Sequence, residues 1–138
     1  MASVAVNRTQ ALVLGFCAAA WLALIVILVA APDVLTGAGK PLPASPAVEW
    51  AFLTAITALL GILGVGVVRR WRWMFWVVLL AFVAGVLRVP AAALELAGLL
   101  PSSGPIWYVL VQAAVGLVQF AIGLVMVAGL RRAGVWGA

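Results

Sequence analysis

Four long apolar runs, separated by short polar breaks, set the pattern of this chain. The first runs from Ala11 to Ala31 behind Arg8 and stops at Pro32-Asp33. As a helix its 21 residues rise ~32 Å, enough for a ~30 Å hydrocarbon core. The second covers 47–68, with Glu49-Trp50 at its start and Arg69-Arg70-Trp71-Arg72 at its end. The third begins at Trp73 and stays apolar to Val89, with a second reading in which it passes Pro90 and reaches Gly98. The fourth covers 106–130, between the turn Pro101-Ser102-Ser103-Gly104-Pro105 and Arg131-Arg132. None of these runs alternates with period two, so they read as helices rather than barrel strands. The Pro- and Gly-rich stretch from Pro32 to Pro46 reads as a loop. The expected fold is an all-α integral membrane protein, one domain over 1–138 with four transmembrane helices. The first run exceeds the 7–15 residues typical of a signal-peptide core, so it is expected to stay as a span.

The basic residues give these spans a direction. Arg8, the Arg69-Arg70-Arg72 group and Arg131-Arg132 fall on one side of an up-and-down arrangement. Lys40 and Arg88 fall on the other. Short basic loops stay in the cytoplasm, so both termini are expected there. Trp50, Trp71, Trp73, Trp107, Tyr108 and Trp136 lie near the expected helix ends, where an aromatic belt sits. Arg69, Arg70, Trp71, Arg72 and Trp73 together read as a basic and aromatic anchor at the inner surface.

Residues 31–50 and 89–108 show a weak internal match. Pro32 aligns with Pro90, Pro43-Ala44-Ser45 with Pro101-Ser102-Ser103, and Trp50 with Trp107. Further on, Arg69-Arg70 aligns with Arg131-Arg132 and Trp73 with Trp136. The chain therefore reads as two tandem helix–loop–helix hairpins sharing one orientation. On this reading Pro90 marks the outer end of the third helix. Arg88 then lies ~24 Å beyond Arg72 and snorkels to the outer headgroups. Glu95 lies outside the core. If the helix instead continues through Pro90, Arg88 and Glu95 share a face and join Glu49, Tyr108, Gln112 and Gln119. The last three form one stripe on the fourth helix. These six residues are the candidate polar cluster. Intramembrane amides more often join helices than bind ligands.

Small residues mark packing faces. The second helix carries Thr54, Thr57, Ala58, Gly61 and Gly64, and the fourth carries Gly116 and Gly123. Lipid supplies no hydrophobic drive between helices, so close approach at small residues takes its place. Gly61, Gly64, Gly116 and Gly123 are the expected packing positions.

Composition narrows the chemistry. Hydrophobic residues make up 68% of the chain and charged ones 8%, too few to coat a soluble fold. With no His and one Cys, Cys17, the chain lacks the residues for an imidazole relay, a usual zinc site or an internal disulfide. No metal, cofactor or enzymatic activity is expected, since no Ser/His/Asp set, phosphate loop or carboxylate pair is present. The net charge of +5 reads as a topology signal, not a nucleic-acid surface. Seven Arg against one Lys, with abundant Ala, Val and Gly, suggests a GC-rich bacterial genome and hence a bacterial plasma membrane.

Length and span number resemble the small multidrug-resistance transporters. That resemblance implies an acidic residue in the middle of the first helix, and ALVLGFCAAAWLALIVILVAA has none. A carrier of this kind would have to use Glu49 or Glu95. The expected function is a structural, accessory or assembly subunit of a larger membrane complex or a homo-oligomer. The alternative is a small transporter or channel whose polar cluster opens outward. The expected partners are the bilayer and another membrane protein or a second copy.

Overall fold

The structure is a computed structural model that describes residues 5–35, 45–102 and 104–137. Among them there are helices and turns and no strand. The helices are α1 (Arg8–Ala30), α2 (Pro46–Val68), α3 (Arg72–Ala84), α4 (Arg88–Leu96) and α5 (Ile106–Ala133). A 3-10 turn, Gly85–Leu87, joins α3 to α4, so that Arg72–Leu96 forms one 25-residue span. Four spans are thus long and apolar enough to cross a membrane. Lys40 and Ser103 lie outside the described residues.

The helix ends follow from local chemistry. Asn7 caps α1 through a capping box with Gln10, in which each side chain accepts from the other's backbone N–H (2.9 and 3.0 Å). Pro46 opens α2, where its missing N–H costs nothing. Gly98, with φ 76°, closes α4, as Leu99 N–H reaches the Leu94 carbonyl and Gly98 N–H the Glu95 carbonyl. The same pair of bonds closes α2 at Arg70, whose φ is 56°.

Of the two readings of Pro90, the third span follows the second and continues past it to Leu96 instead of ending there. Pro90 sits in the first turn of α4, where backbone N–H groups have no partner within the helix. The 3-10 turn before it resets the hydrogen-bond ladder and makes room for the ring. Pro32, by contrast, starts a 3-10 turn that leaves α1. The two prolines are therefore not structurally equivalent. Trp73 and Trp136 differ as well, at 57% and 0% exposed.

The core lies at the end of the molecule where residues near both termini meet the α2–α3 turn. Val13 of α1, Val67 of α2, Phe75, Val78 and Phe82 of α3, and Ile122 and Met126 of α5 build it. Phe16 and Phe82 meet edge to face at 5.1 Å. Elsewhere α1 and α2 expose Leu22, Val26, Val29, Leu59, Ile62 and Val65 to the surroundings. Such a surface suits lipid rather than water.

Candidate functional surfaces

Three places bring chemistry or unusual packing together. The first is the crossing of the third span with α5. Gly85 and Gly116 face each other there at backbone distance. A Cβ on Gly116 would overlap the Gly85 carbonyl oxygen and approach Arg88 Cβ to 2.9 Å. A Cβ on Gly85 would lie 2.6 Å from Gln119 Oε1. The crossing therefore holds Arg88 and Gln119 on either side of a glycine contact. Arg88 is exposed and its aliphatic stem covers Gly116, while Gln119 is half-buried. Among the described residues neither side chain makes a hydrogen bond or ion pair.

The other members of the polar cluster are dispersed. Gln112 is half-buried one turn before Gly116 on α5. Tyr108 folds back toward Gly104 and meets Trp107 edge to face at 5.9 Å. Glu95 is half-buried near the end of α4. Glu49 lines a groove between α1 and α2 with Ile25, Leu28 and Trp50. The structure thus joins Arg88 and Gln119 at one crossing and puts Glu49 on a different helix pair.

The second place is a polar tie at the core end, in which Asn7 and Gln10, passed over by sequence reasoning, join Trp136. Gln10 is fully buried, and its Nε2 donates to the Val67 carbonyl at 2.6 Å. Asn7 Nδ2 donates to the carbonyls of Trp136 and Gly137. Trp136, also fully buried, donates from Nε1 to the Trp71 carbonyl at 3.0 Å and meets Phe75 edge to face. Trp136 therefore belongs to the core and not to an aromatic belt. The Asn-x-x-Gln spacing ahead of the first apolar run was the available signal for a cap. Gln10→Leu is expected to cost about 1–3 kcal/mol, because a buried carbonyl loses a partner; chemical denaturation of the folded chain measures it.

The basic and aromatic anchor is split by this tie. Arg69, Arg70, Arg72 and Trp73 are exposed, whereas Trp71 is half-buried and stacks on Trp73 at 5.7 Å. Arg70 also donates to the Ala5 carbonyl at 3.2 Å.

The third place is a groove along α1 and α2. Its upper part, about 250 Å³, is lined by Cys17, Ala18, Trp21, Thr57 and Leu60. Its lower part, about 460 Å³, reaches Val65, Val68 and Arg69. Leu14, Gly61 and Gly64 line both, so the groove is continuous. From Thr57 to Arg69 it spans ~18 Å of helix rise. Trp21 Nε1 donates to Thr57 Oγ1 at 2.9 Å and holds the helices together at one end. A Cβ on Gly61 would meet nothing within 4 Å, and one on Gly64 only Leu14 Cδ2 at 3.8 Å.

The four packing glycines thus divide. Gly116 and Gly123 are buried against the third span, whereas Gly61 and Gly64 border open space. Among the described residues no three metal-ligating side chains gather. No protein-family model matches the chain, and neither curated proteins nor solved structures yield a similar protein.

Proposed function

We propose that this protein is a structural or accessory subunit of a membrane assembly, and that the α1–α2 groove receives a transmembrane helix of another subunit. The observation that carries the reading is the division of the glycines. Small residues let membrane helices approach closely. At Gly116 and Gly123 that closeness is used within the chain, and at Gly61 and Gly64 it is left open. The groove is apolar, several turns long and bordered by small residues, as a docked helix requires. The chain sits in a bacterial plasma membrane as two tandem helix–loop–helix hairpins with both termini in the cytoplasm. The arginines gathered at the core end support that direction.

Gly61→Leu tests the groove. The side chain has open space, so the isolated fold is expected to change by no more than about 0.5 kcal/mol. The same leucine fills the docking surface, and co-purification of the partner from native membranes is expected to fall by about tenfold or more. Arg88→Gln is expected to leave co-purification unchanged. Equal partner recovery with Gly61→Leu would remove the groove from the account.

A further inference from the structure

A second groove, about 340 Å³, runs between the start of α1 and the end of α5. Arg8 and Arg132 stand at its rim, and Leu12, Val125, Ala128 and Gly129 line it further in. From Arg132 to Val125 is ~10 Å of helix rise, so the lining changes from cationic to apolar over about two turns. Thr9 also borders it. Thr54 and Thr57 return their hydroxyls to the carbonyls of Trp50 and Leu53. Among the described residues the Thr9 hydroxyl makes no such bond, and the Arg8 and Arg132 guanidiniums make no hydrogen bond or ion pair.

Charge is distributed unevenly along the molecule. Arg8, Arg69, Arg70, Arg72, Arg131 and Arg132 gather at the core end. The carboxylate side chains are elsewhere: Asp33 follows α1, Glu49 opens α2 and Glu95 lies near the end of α4. From Arg8 to Asp33 along α1 is ~38 Å of rise, far beyond the ~8–10 Å over which charges act in physiological salt. Among the described residues Arg8 and Arg132 therefore have no side-chain counter-ion nearby. Two guanidiniums on separate helices suit a phosphodiester, which each can bind through paired N–H groups. The Thr9 hydroxyl adds a donor, and the groove below suits a hydrocarbon chain.

We propose that this groove is a binding site for an anionic phospholipid, with the phosphate held between Arg8 and Arg132 and an acyl chain lying along Leu12, Val125 and Gly129. The site is separate from the α1–α2 groove and rests only on the chain's spanning a membrane. The Arg69–Arg72 group lies on the α2–α3 turn, where Arg69 borders the lower part of the α1–α2 groove.

The test uses the full chain in discs of phosphatidylcholine with a minor fraction of phosphatidylglycerol. Native mass spectrometry counts the phosphatidylglycerol kept on the protein as detergent is added. The unaltered chain is expected to keep it in preference to phosphatidylcholine. The R8Q/R132Q pair is expected to weaken retention by about tenfold or more. R69Q/R72Q removes the same charge from the same end and is expected to keep the lipid. G129L, which retains both arginines and fills the groove, is expected to lose it. Inorganic phosphate alone is not expected to compete, since it lacks the apolar half. Equal losses for the two arginine pairs would reduce the effect to surface potential and overturn the site. So would unchanged retention in R8Q/R132Q, or full competition by inorganic phosphate.

Discussion

Replacing Gly116 with alanine is expected to destabilise the fold by about 2–3 kcal/mol, and replacing it with leucine to prevent stable folding. The reason is the identity of the atoms in the way. A Cβ at 116 meets the Gly85 carbonyl oxygen, a backbone atom that has no rotamer to escape into. It also meets Arg88 Cβ at 2.9 Å and Cδ at 3.4 Å. The helices must separate, and the contact between α5 and the whole third span loosens with them. Gly66→Ala is a useful contrast. There the new Cβ meets Met74 Cε at 2.7 Å, Met74 Cγ at 2.9 Å and Trp71 Cε3 at 3.3 Å, all side-chain atoms that can shift more readily than a backbone carbonyl. Thermal unfolding of the two variants in one detergent measures the difference, and the account requires Gly116→Ala to lie well below Gly66→Ala.

The second large effect is expected at Trp136. Trp136→Ala should cost about 3–5 kcal/mol, the range for emptying a buried aromatic site. The indole is fully buried, packs edge to face on Phe75 at 5.1 Å and donates to the Trp71 carbonyl. Its own carbonyl accepts from Asn7. One residue thus joins the chain after α5 to the α2–α3 turn and to the cap of α1. Trp136→Phe keeps much of the packing and loses the indole donor, so a loss nearer 1 kcal/mol is expected. Denaturant titration should give this order, alanine far below phenylalanine. Trypsin should also cut the alanine variant sooner at Arg131 and Arg132, which are exposed at the end of α5.

The spans were legible because lipid demands unbroken apolar helices. The expected 47–68 run meets Pro46–Val68 in the structure, and the expected 106–130 run meets Ile106–Ala133. Pro90 left two readings open, a stop or a continuation to Gly98, because a proline in an apolar run reads first as a stop. Only the 3-10 turn at Gly85–Leu87, invisible in composition, shows how the helix accommodates it. Trp136 misled for a different reason. An aromatic residue near a basic helix end suits a membrane interface, but Gly134, with φ 81°, turns the chain back so that the indole enters the core. Gln10 drew no attention as one polar residue at the edge of a span, yet it is buried against the end of α2.

The glycines show the limit most clearly. Gly61 with Gly64 and Gly116 with Gly123 carry the same kind of signal, small residues at helical spacing. Spacing names the face of a helix that can pack and not what packs on it. In the structure one pair is buried inside the chain and the other borders a groove. The polar cluster behaved similarly. Helical spacing placed Tyr108, Gln112 and Gln119 on one stripe, but whether Glu49 joins them depends on which helices are neighbours.

The most direct test of the subunit reading is the mass of the protein extracted from its native membrane in lipid particles, without detergent. The account predicts particles whose protein mass exceeds one 14.3 kDa chain, with a second chain that crosslinks to a photoreactive residue at position 61. A single chain of 14.3 kDa in every particle, with position 61 crosslinking to lipid alone, would contradict it.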